Sequence, residues 1–149
     1  MRKSGFTLIE LLIVISIIAI LAATIIPNFI GFDTEARITA TKTNLDTLRT
    51  RVTLFRAKEA RYPDSLQELL DTYYFDVGVK KAYLSKIPFE MVSKKSGNNE
   101  FIDTPSSEEL IIHEGGWVYY TDTADVHVNL DEPLDKKWGE YEDRKPIDW

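Results

Sequence analysis

One carboxylate stands alone in a long apolar stretch. Between Phe6 and Gly31 the only charged residue is Glu10. A carboxylate at the centre of a hydrocarbon layer costs roughly 2.5–3.5 kcal/mol on insertion scales, and less near an interface. An acid kept at that cost is a functional candidate by default; the alternative is a carboxylate that sits near the cytoplasmic headgroups and snorkels. Other residue types suited to chemistry are sparse. The chain has no cysteine, which removes thiolate nucleophiles, zinc–thiolate clusters and disulfides. His113 and His127 fall in separate apolar runs that read as strands, and neither has a ligand-spaced partner beyond Glu114 or Asp122. A surface or packing role is the simpler reading for both. There is no Gly-rich phosphate loop, HExxH or Gly-x-Ser-x-Gly pattern. The acidic stretch from Asp131 offers oxygen ligands of the kind calcium takes, but it lacks a loop of alternating ligands around an Asp-Gly. Asp131 and Asp135 are therefore weak calcium candidates; no other metal or cofactor is expected, and the chain is not expected to be an enzyme.

The elements that must position Glu10 are read from the hydropathy. Leu11 to Ile26 contains only Ser16 and Thr24 as polar side chains. Phe6 to Ile30 would make a helix ~37 Å long at ~1.5 Å per residue, enough to cross a bilayer. A cleaved secretory signal would have a shorter apolar core with small residues on its far side; Ala22-Ala23-Thr24 fits that poorly, because the apolar run continues past it. The retained transmembrane helix is the expectation. Arg2 and Lys3 precede the run, and Asp33 and Glu35 follow it. By the positive-inside bias the N-terminus is cytoplasmic and the remainder lies outside the inner membrane. The 149 residues are enough for one domain with an appendage. Their formal charge is −6, a poor balance for general binding to nucleic acid or anionic lipid.

Lys3-Ser4-Gly5-Phe6-Thr7-Leu8-Ile9-Glu10 resembles the cleavage and methylation motif of type IV prepilins: a short basic leader ending in glycine, then phenylalanine, then an acid four residues on. Pro27-Asn28 falls where that family usually carries its proline. The resemblance implies a leader over 1–5, cut by a prepilin peptidase between Gly5 and Phe6, with methylation of the new amino group of Phe6. It also implies that Phe6 and Glu10 set assembly register. A freed α-amine, with a pKa near ~8, is cationic at neutral pH. Among packed stems it would neutralise the Glu10 carboxylate of a neighbour. The family often has a glycine where this chain has Ala19.

Beyond the stem, Pro27 should kink or loosen the helix. Ile38, Leu45, Leu48, Val52 and Phe55 continue a helical stripe, so one helix is expected from about Phe6 to about Ala60. Residues 6–30 would form its transmembrane or filament-core half, 31–60 its amphipathic half, and 61–149 a periplasmic or extracellular head. Arg49, Arg51, Arg56, Lys58 and Arg61 form a basic run, read as a solvated face that meets a neighbouring subunit; the one aromatic within it, Phe55, belongs to the apolar stripe, so stacking residues are not interleaved with the charges as nucleic-acid binding would require. Arg61-Tyr62-Pro63 ends the helix. Asp64-Ser65-Leu66-Gln67 reads as a cap with a capping-box glutamine before a short helix through Leu69-Leu70. Tyr62-Pro63 with that helix, and Ile87-Pro88, resemble stretches of type II secretion pseudopilins, although Phe89-Glu90-Met91 stands in place of the Asp-Pro-Trp-Gly that often follows. Lys94 to Asn99 reads as a loop. Leu110–Ile112, Trp117–Tyr120 and Val126–Leu130 read as strands, the last two joined as a hairpin after the Gly115-Gly116 turn. Trp117, Tyr119, Val126 and Val128 should pack on Leu48, Val52 and Phe55, and Trp138 and Trp149 should anchor the charged tail.

The expected fold is α+β, a pilin fold whose long N-terminal helix packs against a small antiparallel sheet. The expected function is a structural subunit of a type IV pilus-like filament. The features lean toward a type II secretion pseudopilin, with a surface type IV pilin (adhesion, twitching motility or DNA uptake) as the alternative. Partners implied by the resemblance are other copies in a helical homopolymer, the prepilin peptidase, an inner-membrane assembly platform and minor pilins or pseudopilins. A membrane-anchored enzyme is the reading from another class, and no acid–base constellation supports it.

Overall fold

The computed structural model describes residues 6–93, 98–106 and 115–149, with side chains described for all of these except 24–32 and 137. Helix α1 runs Leu8–Glu59, 52 residues or ~78 Å at ~1.5 Å per residue. Thr7 caps its start, and Ala60, in the left-handed conformation, ends it by donating its N–H to Arg56. The helix assignment continues through Pro27; the side chains around it, where a kink was expected, lie outside those described. Leu110–Ile112, read as a strand, lies outside the described residues altogether, as do His113 and Gly5.

The short helix α2 spans Glu68–Asp71. The capping glutamine expected for it is not used: Gln67 makes no side-chain cap and its amide donates to Asp71. Glu68, one residue on, does that work by accepting the Asp64 N–H at 2.8 Å, while Asp103 from a distant strand accepts the Leu66 N–H at 3.1 Å and the Ser65 hydroxyl at 2.6 Å. A side chain brought by the tertiary fold thus adds to local caps, since Ser65 Oγ also accepts the Gln67 N–H at 3.0 Å.

Two small sheets follow. Strands β1 (Tyr73–Asp76) and β2 (Val79–Ala82) form an antiparallel hairpin that the sequence reading missed. Strands β3 (Phe101–Thr104), β4 (Trp117–Tyr120) and β5 (Asp125–Val128) form a second sheet in the order β3-β4-β5. The β4–β5 hairpin lies where it was expected, antiparallel with Trp117 opposite Val128. β3 pairs with β4 in parallel, so this sheet is mixed rather than wholly antiparallel. Alternation sends Trp117 and Tyr119 of β4 and Val126 and Val128 of β5 to one face. They share one core with Ile38, Leu45, Leu48, Val52 and Phe55 of α1. The expected packing is thus present, and Trp138 joins it from a short 3₁₀ turn over Lys136–Tyr141.

A buried carboxylate ties the linker to the sheet. Glu90 is fully buried; its carboxylate accepts the N–H groups of Val92, Ser93 and Gly116. The same linker is held to α1 by Thr41, whose hydroxyl accepts the Met91 N–H at 3.0 Å, and by Asn44, whose amide donates to Phe89 O at 2.8 Å. Trp117 completes the junction by donating its indole N–H to Pro88 O at 2.8 Å. Gly115 and Gly116 both have positive φ; a Cβ at the first would run into Ser93, and at the second into the Glu100 carbonyl. Only glycine fits this turn.

Glu90→Ala should cost about 3 kcal/mol, because it leaves buried N–H donors unpaired; the urea midpoint of the detergent-solubilised chain measures it, and a loss under about 1 kcal/mol would contradict the role. A second prediction concerns alkali. Burial first, then its hydrogen bond to Glu59, raises the Tyr83 phenol above its ordinary pKa, and burial followed by Asp103 does the same for Tyr119. A raised folded pKa means the unfolded chain releases those protons first. Their contribution is complete below about pH 10 and is lost as pH rises through the folded values. Urea midpoints should hold steady up to about pH 10 and fall above it, less steeply in Tyr83→Phe.

Candidate functional site

The N-terminal half of α1 carries the feature that called for explanation. Thr7 takes an extended conformation, φ −82° and ψ 153°, and forms a capping box with Glu10. The Glu10 N–H donates to the Thr7 hydroxyl at 3.3 Å, while Glu10 Oε2 accepts the Thr7 N–H at 2.8 Å and its hydroxyl at 2.7 Å. Reciprocal bonding of this kind satisfies two of the donors that any helix start leaves open. It also holds the carboxylate against the Thr7 N–H, the amide that directly follows Phe6. Among the described residues, the bonds to Thr7 all use Oε2 of the carboxylate. The sequence pointed to the charge of Glu10; the cap with Thr7, signalled by threonine three residues before an acid, was not read.

Around this polar point the helix is apolar and bare. Every described side chain from Phe6 to Ala23 is exposed except Ala22, which is half-buried, and Phe6 itself is 79% exposed. Twelve large apolar side chains between Phe6 and Leu21 are exposed. Each is worth about 1.5–3 kcal/mol when fully buried, so covering them would contribute on the order of 20 kcal/mol, far above the few kcal/mol that Glu10 costs. Such a surface requires a cover. Ser16 gives its hydroxyl to Leu12 O at 2.7 Å and so presents no open donor. Among the described residues no helix is long and apolar enough to cross a membrane; the described side chains stop at Ala23, before the apolar run in the sequence ends.

Four cations of the basic run make contacts inside the subunit. Arg49 donates to Val126 O at 3.1 Å and to Trp149 O at 2.6 Å, fastening strand β5 and the final turn to α1. Arg56 bonds the Tyr62 hydroxyl, Lys58 lies over the Tyr74 ring, and Arg61 pairs with Glu68. That pairing, first through its hydrogen bond, holds the Glu68 carboxyl below its ordinary range. Lys42 sits 4.6 Å from the Tyr141 ring centre and 4.7 Å from that of Trp149, so Trp149 does anchor the tail. Of the two calcium candidates, Asp131 accepts Lys145 at 2.8 Å. Among the described residues no group of three or more His, Asp or Glu side chains is placed to hold a metal. His127 is occupied structurally, its Nδ1 2.7 Å from Ile147 O and its ring beside Tyr120.

Long bare helix, capped acid near its start and compact α+β head together define a filament-subunit architecture, and comparison with known proteins agrees. Residues 1–26 match the prokaryotic N-terminal methylation motif. The chain is 48% identical over 68 residues to the type IV major pilin protein PilA of Myxococcus xanthus, covering 46% of this chain and 31% of that protein. It is 28% identical over 96 residues to the type II secretion system core protein G of Pseudomonas aeruginosa, covering 60% of this chain and 68% of the other. Against the type IV wide pilus major component of Thermus thermophilus it is 31% identical over 127 residues, covering 85% of this chain and 86% of that one. The chain thus spans about a third of the Myxococcus relative but most of the Thermus one. No solved structure matches. The chain belongs to the type IV pilin-like family, whose members are structural pilin and pseudopilin subunits rather than enzymes.

Proposed function

We propose that this chain is made as a membrane-inserted prepilin, cut between Gly5 and Phe6, methylated on Phe6 and built into a helical filament whose core is the apolar half of α1. The exposed apolar surface from Phe6 to Leu21 carries this reading, because an isolated subunit leaves it in water. In the inner membrane lipid covers it, with the N-terminus cytoplasmic and the head outside; in the filament neighbouring stems cover it. Cohesion is apolar, while register comes from the charge of Glu10 meeting the α-ammonium of a neighbouring Phe6. Prepilin peptidase, an assembly platform in the inner membrane and minor subunits are the partners this route needs.

Which filament is built is the finer question. A surface pilus is favoured by the match to a wide-pilus component that runs through the head as well as the stem. A secretion pseudopilus is favoured by the core protein G match, which also extends past the stem into the head. Mass spectrometry of filaments sheared from cells, beside the inner-membrane fraction, separates them. Abundant peptide starting at methylated Phe6 in the sheared material is the result expected for a pilus. The same peptide confined to the membrane would mean a pseudopilus, and peptides that retain residues 1–5 in every fraction would overturn the processing.

Two substitutions divide the roles of Glu10. Glutamine can still close a capping box but has no charge. Glu10→Gln should therefore keep the helix start and still abolish filaments, as Glu10→Ala does, with membrane insertion unchanged in both. Normal filaments from Glu10→Gln, seen by electron microscopy, would make the cap and not the charge the functional feature.

A further inference from the structure

The β1–β2 hairpin carries a residue that its fold does not explain. Its two-residue turn, Val77-Gly78, has positive φ at both positions, 49° and 79°. Turns of this kind favour Asn-Gly, and a β-branched residue at positive φ is strained. Val77 is also 97% exposed. Backbone and solvent both disfavour valine here, and asparagine would relieve both. Phe75 beside it is 70% exposed, and the Lys80 ammonium lies 4.1 Å from the ring centre of Tyr73. The hairpin is thus a finger with an apolar tip and a cation on its flank. It is rooted at the far end of α1, where Tyr83 packs on Phe55 and bonds Glu59.

At the opposite end of the head lies a groove of about 260 Å³ between α1 and the 3₁₀ turn. Ile38 and Trp138 are buried in its floor, and the exposed carboxylates of Glu35 and Glu140 stand on its rim. Neither carboxylate has an ion-pair partner among the described residues. From Ile38 to Glu59 the helix rises about 30 Å, so finger and groove sit at opposite ends of one head. Complementary patches placed this way make a heterologous contact, the kind that propagates as an open helical filament rather than closing a dimer.

We propose that in the filament the hairpin of one copy seats Val77 and Phe75 in the Ile38–Trp138 groove of the next copy along the axis, with Lys80 facing Glu140 and Glu35. The contact rests on the filament reading above. Apolar tip meets apolar floor, and a cation meets two unpaired acids. A lipid surface is the other partner such a finger would suit. However, α1 carries it about 40 Å beyond the end of the apolar run, out of reach of the membrane holding its own stem.

The chain has no cysteine of its own, so Val77→Cys with Glu140→Cys in the full-length protein gives a clean cross-linking test. Oxidised filaments should yield a ladder of covalent multimers, absent from either single variant. Filaments without a ladder would overturn this contact alone, and Val77→Cys dimers without position 140 would replace it with a symmetric one. An unsubstituted chain that forms no filaments would overturn the filament reading together with this contact. Val77→Asn supplies a readout that a purely structural turn would not give. It should raise the thermal midpoint of the solubilised chain by about 3 °C while lowering filament yield about tenfold. A rise in both would overturn the proposal.

Discussion

Everything in this molecule depends on one helix being buried twice, by different partners along its length. The stripe Ile38, Leu45, Leu48, Val52 and Phe55 is buried by the chain's own head; the stretch from Phe6 to Leu21 is left for other molecules. A helix that is apolar on every side belongs in lipid or among other helices, whereas one with a single apolar stripe belongs on a globular domain. Here the two patterns are joined end to end without a break in assignment between Leu8 and Glu59. The head therefore serves as a soluble cover for only half of the helix.

That cover is small, and polar anchors compensate for its size. The three-stranded sheet contributes Trp117, Tyr119, Val126 and Val128 to the core, but the connecting segment has little sheet of its own. Thr41 and Asn44 reach out from α1 to hold it, Glu90 gathers three N–H groups beneath it, and Arg49 fastens β5 and Trp149 from the opposite side. Buried polar groups stabilise only when they are fully partnered. Glu90 meets that condition with backbone donors on both sides of the linker, which is why a carboxylate is tolerated in the middle of the head.

The sequence made the long elements legible and left the small ones obscure, for physical reasons. Helix α1 and the β4–β5 hairpin announce themselves through sustained periodicity and paired glycines, and their expected packing is what is found. The β1–β2 hairpin was missed because its turn is Val77-Gly78 rather than Asn-Gly, and its apolar side chains face solvent, so neither turn chemistry nor burial marks it. β3 was missed because it pairs in parallel with β4, a partner no local signal specifies. Glu90 was noted only as a departure from a familiar turn; its role appears once Gly116 is brought against it. The basic run shows another limit: Arg56, Lys58 and Arg61 are exposed as a solvated face should be, but charge counts along a helix do not show that Tyr62, Tyr74 and Glu68 will partner them.

Magnitudes also separate what holds subunits together from what aligns them. An apolar stem buries nearly the same area if it slides by one turn past its neighbour, so a term on the order of 20 kcal/mol discriminates poorly between registers. In the proposed filament a single charge would discriminate well, since a misplaced Glu10 would be left unpaired in a low-dielectric core at a cost of several kcal/mol. The capping box sharpens this further. By holding the carboxylate against Thr7 it would remove the freedom of a long side chain to reach a partner at the wrong height. A small, rigid, costly feature in a large, tolerant surface is what a repeating assembly needs to choose one geometry.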